Sequence, residues 1–303
     1  MLNKRPIILN CFARGGSQML VNLCLSHPNA CLSSGETHKV FKPGTPFDAG
    51  WLRVKKRLFY DWPTRLMVGQ DIFDPHLLKE RKPVPAYVRT RIDRIFYEGR
   101  FLNRIPEQNM YRYEGVEYTT EQLAQCRLVT KSLNGLVYLV DLFREMYPDA
   151  VFIALARNGL AICEGSLRRR YTAEEIGTEY HTVVSRMLKY QETMPNYHIL
   201  RYEEMVSDTA AFTRKLYKLA DLDIAEVPKF RLEARPVTTA DGKHERLKGS
   251  YDRQLFWYEL DNIQQHVRSD VNENQIKKLP AEQKKRFLAI AGDMMESLGY
   301  STA

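Results

Sequence analysis

Short apolar runs alternate with longer segments of helical periodicity along this chain, and this alternation constrains the fold more than any other feature. The clearest run, DAVFIALAR over 149–157, is followed at once by a helical segment. The run PIILNCF over 6–12 is likewise followed by a glycine turn and then a helix. Strands separated by helices form a parallel sheet with helices on both faces. We therefore predict a three-layer α/β fold with a central parallel sheet.

Further strands and helices complete this pattern. Strands are predicted in NACLSS, in RLVTKS over 127–132 and in YHILRYEEM. Helices are predicted over about 17–26 and 173–194, and in NGLVYLVDLFREMYP, NGLAICEGSLRRRY, SDTAAFTRKLYKLADL and LPAEQKKRFLAIAGDMMESLGY. The helix that begins in SDTAAF has Ser207 or Asp208 as its N-cap.

Residues 40–120 do not follow the α/β pattern. They are rich in Pro, Arg, Tyr and Phe, and their periodicity is weak. We predict an irregular insertion with short helices that lies over the site, within a single domain of residues 1–303. A separate small domain is the alternative, although the segment has few aliphatic residues to bury. Its aromatic residues are candidates either for stacking on sugars or phenols or for the insertion's own core: Trp51, Phe59, Tyr60, Trp62, Tyr87, Phe96 and Tyr97.

Charge and cysteine content narrow the class of protein. The net charge of +8 favours anionic partners, although a merely basic solvated surface has the same composition. No stretch approaches the ~20 apolar residues of a membrane-spanning helix. The five cysteines form no C-x-x-C pair, so we expect a cytoplasmic protein with reduced, mostly buried thiols and neither a disulfide framework nor a zinc site: Cys11, Cys24, Cys31, Cys126 and Cys163.

The segment NCFARGGSQML over 10–20 leaves the first predicted strand and turns directly into a helix. A helix N-terminus exposes backbone N–H groups that bind anions, and Arg14 and Ser17 lie beside these groups. The segment lacks the spacing and the lysine of a nucleoside-triphosphate loop, and it lacks a G-x-G-x-x-G dinucleotide motif. It therefore predicts a site for a single phosphate or sulfate, with a bare strand–turn–helix as the alternative.

A second cationic element follows the clearest strand. Arg157 ends that strand, and Ser166 and Arg169 follow two to three helical turns later. An arginine at a strand end binds a phosphate through parallel hydrogen bonds, and a serine hydroxyl can donate to the same group. Each arginine alone is equally compatible with a surface ion pair. Ligands bind such sheets at the carboxyl ends of the strands, so the two elements predict two anion sites at the ends of two strands of one sheet.

These residues together resemble the sulfotransferases that use 3′-phosphoadenosine 5′-phosphosulfate (PAPS), which implies a P-loop-like fold. The resemblance implies that the first loop holds the 5′-phosphosulfate through Arg14, Gly15, Gly16, Ser17 and Gln18. It implies that Arg157 and Ser166 hold the 3′-phosphate, with Gly165 at the family's usual serine position. The segment LRYEEMVSDTAAF resembles the family's strand and helix in which a tyrosine, Tyr202 here, lies near the adenosine.

Two further segments are most similar to tyrosylprotein and related carbohydrate sulfotransferases. HPNACLSSGETHKVF resembles a stretch whose glutamate is the general base, which implies Glu36. His38 competes for this role, because the two residues alternate in phase along an extended segment. LVTKSLNG resembles a segment whose lysine, Lys131 here, helps the sulfuryl group to leave.

Two lysine-containing segments near the C-terminus are expected to cover the donor. VNENQIKKLP resembles the family's C-terminal Val-Asn…Lys stretch, from which Lys278, or its neighbour Lys277, is expected to close over the donor. The loop ERLKGSYDRQ, with Lys248 and Ser250, is a second candidate phosphate-covering loop.

The resemblance implies in-line transfer of a sulfuryl group from PAPS to an acceptor hydroxyl, leaving PAP, without a metal ion. The acceptor is expected to be a carbohydrate or glycolipid, with a tyrosylprotein or phenol as the alternative. A nucleotide-dependent kinase should carry a P-loop lysine and a Mg²⁺ carboxylate, and neither is found in the sequence. A basic nucleic-acid-binding protein would explain the charge but not the paired anion sites, Glu36 and Lys131.

Overall fold

The computed structural model describes residues 5–33, 54, 85–101, 117–169, 171–234 and 254–302. Within them, the central strands are β1 (Ile7–Cys11), β2 (Ala30–Leu32), β3 (Arg127–Leu133), β4 (Val151–Ala156) and β5 (Tyr197–Arg201). They form one sheet in the order β2-β3-β1-β4-β5, and every neighbouring pair runs parallel. The predicted parallel sheet is confirmed.

The helices in the described part of the chain are α1 (Ser17–Cys24), α2 (Ala86–Gly99), α3 (Thr120–Gln125), α4 (Val140–Met146), α5 (Gly159–Leu167), α6 (Ala173–Thr193), α7 (Tyr202–Ser207), α8 (Thr209–Ala220), α9 (Val271–Lys278) and α10 (Ala281–Ser297). Thr119 and Thr172 begin α3 and α6 with capping boxes. Asp208 is the N-cap of α8, and its side chain accepts from the Ala211 N–H at 2.8 Å. None of the described helices is both long enough and apolar enough to cross a membrane.

The two faces of the sheet carry separate hydrophobic cores, because successive strand residues point to opposite faces. From β1, Ile7, Leu9 and Cys11 pack with residues of α1, α7 and α8. Ile8 of the same strand packs on the other face, with residues of α4, α6 and α10. Helices therefore cover both faces of the sheet, which confirms the predicted three-layer architecture.

Two segments differ from the predicted pattern. The chain over 197–205 is not one strand, since β5 ends at Arg201 and α7 begins at Tyr202. Glu203 and Glu204 lie in the first turn of α7, where carboxylates stabilise a helix N-terminus. The helix predicted over NGLVYLVDLFREMYP is divided into a 3-10 helix, Asn134–Leu139, and α4.

A separate antiparallel pair of strands was not predicted. It consists of β6 (Phe230–Ala234) and β7 (Gln254–Tyr258), with Ala234 opposite Gln254. Phe230 and Leu232 are buried in the same core as α1. Residues 235–253 connect the two strands and lie outside the described residues.

Only part of the predicted insertion, residues 40–120, lies among the described residues. Its helix α2 packs on the main core, where the Phe96 and Phe143 ring centroids are 5.4 Å apart. The Tyr147 hydroxyl also donates to Asp93 Oδ1 at 3.0 Å. Phe96 is therefore a core residue. The predicted position of the insertion over the site, and the single domain of 1–303, stay predictions.

The expectation of five reduced cysteines is wrong for two of them. Cys31 and Cys126 form a disulfide with their Cα atoms 5.9 Å apart, whereas Cys11, Cys24 and Cys163 are free and buried. The pairing follows from the sheet, because β2 and β3 are neighbours and Cys31 aligns with Leu128, two residues beyond Cys126. The spacing of these cysteines in the sequence, 95 residues, gives no sign of it.

Candidate functional site

The loop between β1 and α1 is a tight turn whose conformation depends on glycine. The Gly15 N–H donates to the Phe12 carbonyl at 2.9 Å, and Arg14 has a positive φ of 67°. Gly16 also has a positive φ, 87°, and a Cβ placed there would lie 2.3 Å from Cδ2 of Tyr202. Only glycine satisfies both the left-handed conformation and this close approach. The loop therefore holds Tyr202 directly against the start of α1.

The start of α1 has the chemistry of an anion site. Gly16 is the N-cap and contributes no side-chain hydrogen bond to the first turn. The first N–H groups of a helix have no intrahelical partner and lie at the positive end of the helix dipole. Ser17 and Gln18, both with polar side chains, form that first turn. Four of the predicted donor-binding residues, Arg14 to Ser17, thus form one turn at the carboxyl edge of the sheet.

Arg157 follows directly after β4 and is buried against this loop. Its guanidinium donates to the Arg14 carbonyl, to Asn272 Oδ1 at 2.8 Å and to Gln275 Oε1. Its Cζ lies 4.3 Å from the centroid of the Tyr202 ring, which is cation–π geometry. The structure therefore brings together three of the predicted site residues, Arg14, Arg157 and Tyr202, from two neighbouring strands and α7.

The positively charged guanidinium of Arg157 is surrounded by buried polar groups. Burial lowers the pKa of its guanidinium, and the neighbouring Tyr202, Glu203, Tyr300 and Glu164 oppose that shift. An arginine whose pKa is lowered from so high a value still carries its charge at neutral pH. The site thus contains a permanent, partly desolvated cation, which binds an anion more strongly than an exposed one does.

Glu203, which sequence reasoning did not select, connects the surrounding elements. Its Oε1 accepts from the Asn158 N–H at 3.0 Å and from the Asn272 amide, and its Oε2 accepts from the Tyr300 hydroxyl at 2.7 Å. Burial raises the pKa of Tyr300, and the Glu203 carboxylate acts in the same direction. This carboxylate holds α9 and the C-terminal segment beside Arg157.

The residues of α9 that contact Arg157 are not the predicted ones. Asn272 and Gln275, three residues apart and hence on one face of α9, supply the contacts. Lys277 and Lys278 are exposed at the C-terminal end of the helix. The motif lies beside Arg157, and the helical spacing of Asn272 and Gln275 within it was the signal that could have identified them.

Helix α5 presents Gly165 to the loop. A Cβ on Gly165 would lie 3.5 Å from Cβ of Arg14 and 3.3 Å from Nε2 of Gln275. Ser166 is half-buried at the next helical position. Arg169 is exposed and lies after α5, which ends at Leu167, so its expected place two to three turns along the helix is wrong. The Arg169 N–H donates to the Ser166 carbonyl at 2.8 Å, a tight turn that ends the helix.

Lys131 is a buried cation on β3. It pairs with Leu9 of β1 and lies two residues before the end of the strand, which extends to Leu133 rather than Ser132. Burial raises the pKa of the Cys11 thiol to about 12, and the charge of Lys131 opposes this shift. Lys131 therefore lies near the carboxyl end of β1, from which the anion-binding loop starts.

A second residue missed from the sequence, Asn134, supports the loop from the other side. Its Oδ1 accepts from the Ala13 N–H at 2.6 Å, and its Nδ2 donates to Glu179 Oε2 at 3.0 Å. Burial raises the pKa of Glu179, and this hydrogen bond opposes the shift. Asn134 adopts a positive φ of 51°, which asparagine tolerates better than most residues.

A cavity of about 410 Å³ opens beside the loop and Tyr202. This volume is within the range of small-molecule sites. Residues of α1, α7 and β6, of the chain before α9 and of the start of α9 line the cavity. Its lining residues are Gly16, Gln18, Met19, Asn22, Tyr202, Val206, Leu232, Glu233, His266, Val267, Arg268 and Val271.

Three predicted site residues, Glu36, His38 and Lys248, lie outside the described residues, as does Ser250. The residues that come directly before each of these two undescribed segments are described. The Ser33 N–H donates to the Val129 carbonyl at 3.1 Å, so the chain is still beside β3 three residues before Glu36. Glu233, one residue before the end of β6, lines the cavity. In the described part of the chain, no group of three His, Cys, Asp or Glu side chains is arranged to hold a metal ion.

The chain is similar to known proteins over most of its length. The model described as Sulfotransferase family matches residues 6–226. The sulfotransferase domain from the Synechococcus PCC 7002 olefin synthase has a TM-score of 0.51 and 17% identity, covering 99% of this chain and 97% of that chain. This likeness supports the P-loop-like three-layer fold.

Two further solved structures are less similar. The sulfotransferase domain from the curacin biosynthetic pathway has a TM-score of 0.48 and 13% identity, covering 98% of this chain and 98% of that chain. The sulfotransferase from Alicyclobacillus acidocaldarius has a TM-score of 0.40 and 13% identity, covering 95% of this chain and 96% of that chain. No curated protein sequence matches this chain at a significant level.

Proposed function

Because the chain belongs to the sulfotransferase family, we propose that it transfers the sulfuryl group of PAPS to an acceptor hydroxyl. The observation that carries this proposal is the contact of the Arg157 guanidinium with the Arg14 carbonyl and the Tyr202 ring. Two cationic elements from β1 and β4 meet there, next to a cavity of nucleotide-binding size. This is the arrangement that a nucleotide with phosphate groups at two positions requires.

The described residues fit the donor. The turn Arg14–Ser17 would hold the 5′-phosphosulfate through backbone N–H groups, the Arg14 side chain and the Ser17 hydroxyl, and Gln18 would donate an amide hydrogen. Gly16 leaves this cradle open, since a side chain there would occupy the space against Tyr202. Such a site neutralises the sulfate and phosphate charges with amides and guanidinium groups, without a metal ion.

Arg157 would hold the 3′-phosphate. Its three hydrogen bonds go to neutral oxygens of Arg14, Asn272 and Gln275. The guanidinium carries more N–H groups than these bonds use, so it can reach an anion without losing its place. Ser166 and Arg169, which follow Arg157 in the sequence, stay candidates for further contacts with this phosphate. Lys277 and Lys278 at the end of α9 are candidates as well.

The adenosine would occupy the cavity beside Tyr202. One face of the Tyr202 ring is covered by Arg157, and the ring also lines the cavity. The segment with Lys248 and Ser250 starts and ends on β6 and β7, next to cavity-lining Glu233. We propose that this segment covers the donor with the Lys248 ammonium.

The chemistry would be an in-line displacement governed by position and charge. The acceptor oxygen attacks sulfur as Glu36 accepts the hydroxyl proton, and the bond from sulfur to the bridging oxygen of PAP breaks. Lys131, a buried cation near the loop, neutralises charge on that oxygen as PAP leaves. His38 is the competing base, and it otherwise contacts the acceptor.

A carbohydrate or glycolipid hydroxyl is the proposed acceptor, and a peptide tyrosine or phenol is the alternative. The exposed Tyr87 of the insertion is compatible with either class, because aromatic rings stack on both sugars and phenols, whereas Phe96 and Tyr97 pack on the core. An assay with ³⁵S-labelled PAPS against a panel of glycans, glycolipids, tyrosine peptides and simple phenols tests the proposal. Label transferred to one class identifies the acceptor, and label transferred to none of them contradicts the assignment.

The cytoplasmic location stays a prediction, and the Cys31–Cys126 disulfide is the observation against it. Disulfides persist mainly in oxidising compartments and are rare in the cytosol. The same assignment of a soluble donor and a hydroxyl acceptor holds in either compartment.

A further inference from the structure

The Gln275 amide of α9 lies between the guanidinium of Arg157 and the carboxylate of Glu164 on α5. Gln275 Oε1 accepts from Arg157, and Gln275 Nε2 donates to Glu164 Oε2 at 3.0 Å. Glu164 is buried, and its other carboxylate oxygen accepts from Arg168 Nε at 2.8 Å. A neutral amide thus connects a buried cation to a buried anion.

Asn272, one helical turn earlier in α9, connects Arg157 to Glu203 in the same way. Asn272 Oδ1 accepts from Arg157 Nε at 2.8 Å, and Asn272 Nδ2 donates to Glu203 Oε1. A guanidinium can only donate hydrogen bonds and a carboxylate can only accept them, so one orientation of each amide satisfies both of its neighbours. The two carboxylates therefore fix the orientation in which the amide oxygens face Arg157.

This arrangement holds the guanidinium of Arg157 without placing a negative charge in contact with it. All three of its hydrogen bonds go to neutral oxygens. Burial lowers the pKa of Arg157, and Glu203 and Glu164 are among the groups that oppose this shift. A carboxylate in direct contact would form a buried ion pair with Arg157 and would repel an incoming phosphate. With the amides in between, the carboxylates stabilise the buried cation and leave it able to bind an anion.

We propose that Glu164 and Glu203 are positioning residues for the 3′-phosphate of the donor. They act through Gln275 and Asn272, whose oxygens hold the guanidinium in place without neutralising it. The inference rests on the proposed function, which puts the 3′-phosphate at Arg157. The preference for a nucleotide that carries this phosphate then depends on which member of each pair is the amide and which is the carboxylate.

The exchange variant Glu164→Gln/Gln275→Glu tests this dependence. The new amide at position 164 can accept from Arg168 and donate to the new carboxylate at position 275, which in turn accepts from Arg157. The hydrogen bonds of the pair and the net charge are thus retained, and only the place of the negative charge changes. The control is Glu282→Gln/Gln283→Glu, which exchanges the same residue types on α10, where Glu282 is exposed.

The experiment measures by calorimetry the affinities of PAP and 5′-AMP, which differ only in the 3′-phosphate. Wild type should prefer PAP by about tenfold or more, the effect of a charge-assisted contact. In Glu164→Gln/Gln275→Glu the two affinities should agree within about threefold, because the guanidinium is already neutralised. The control variant should keep the wild-type preference. A network with a merely structural role would lower both affinities together and leave their ratio unchanged.

The outcomes separate this inference from the proposed function. If the folded exchange variant keeps the full preference for PAP, or if wild type binds the two nucleotides equally, the inference is wrong although the nucleotide site stands. If neither nucleotide binds folded wild type, the proposed function fails and the inference fails with it. Should the exchange variant not fold, Asn272→Asp takes its place, since it puts a carboxylate against Arg157 Nε and should cause the same loss of preference.

Discussion

The guanidinium of Arg157 donates a hydrogen bond to the backbone carbonyl of Arg14, a residue 143 positions earlier in the sequence. The contact joins the ends of β1 and β4, which are neighbours in the sheet. The anion-binding turn and the second cationic element are therefore parts of one site. A change at Arg157 should therefore alter both donor binding and the turn.

The first prediction concerns the specificity of Arg157 for the 3′-phosphate. PAP differs from 5′-AMP by that phosphate alone, so the ratio of the two affinities isolates its contribution. In Arg157→Ala the preference for PAP should fall by about 1.5–3 kcal/mol, the value of a hydrogen bond to a charged group. The control is Arg286→Ala, which removes an exposed arginine paired with Glu174 and Glu282. An unchanged PAP preference in Arg157→Ala, measured by calorimetry on folded protein, would show that Arg157 does not bind the 3′-phosphate.

The second prediction concerns the turn itself. Gly16→Ala introduces a Cβ at a φ of 87° and within 2.3 Å of the Tyr202 ring. We expect it to lower the free energy of unfolding by about 1–3 kcal/mol and to weaken PAP binding. Gly292→Ala is the matched control, because its nearest neighbour, Thr302 Cγ2, would be 3.8 Å away, and this helical position should gain about 0.5–1 kcal/mol. Equal stability of the two variants in chemical denaturation would contradict the described turn.

The third prediction concerns the disulfide. Cys31 and Cys126 are separated by 95 residues, so breaking the bond releases a large closed loop in the unfolded chain. On the chain-entropy model this loss amounts to about 4–5 kcal/mol of stability. Denaturant unfolding with and without reductant measures it, and Cys163→Ser, at a free cysteine, should leave the effect of reductant unchanged.

A thiol count provides the independent check on the same bond. Denatured, unreduced protein should show three reactive thiols, those of Cys11, Cys24 and Cys163. Five thiols would show that the pair is reduced in the purified protein.

The fourth prediction concerns the general base. Glu36→Gln keeps the size of the side chain but removes the base, so turnover should fall ~10²–10⁴-fold. PAP affinity should stay within about threefold of wild type, because the change does not touch the donor site. His38→Ala should reduce activity less, mainly through acceptor affinity. The reverse ranking would assign the base to His38, and full activity of both variants would place the base elsewhere in the chain.

Much of the fold could be predicted from the sequence, since β1 and β4 are apolar runs ended by turn residues. The observed ends of β1, β3 and β4 differ from the predicted ends by no more than two residues. The β6–β7 pair could not be predicted in this way, because its strands are separated by residues 235–253 and one of them carries exposed aromatic residues. The disulfide likewise depends on the alignment of β2 with β3, which the order of residues in the chain does not reveal.

The candidate site was predictable where a motif joins a strand to a helix, as at Arg14–Gly16 and Arg157. It was not predictable where neutral side chains act as partners. Asn272, Gln275 and Asn134 contact the site through single hydrogen bonds whose partners lie far away in the sequence. Lys278 was predicted because of its charge. The contacts with Arg157 come instead from Asn272 and Gln275, earlier in the same helix.

Titration of PAP into the purified protein in the presence of EDTA is the most direct test of the central claim. The account predicts binding with micromolar or tighter affinity and no requirement for Mg²⁺, because amides and guanidinium groups neutralise both phosphates. It also predicts that ATP with Mg²⁺ binds more weakly than PAP. Absence of PAP binding, together with tight binding of ATP and Mg²⁺, would contradict the account and favour a nucleotide-dependent kinase.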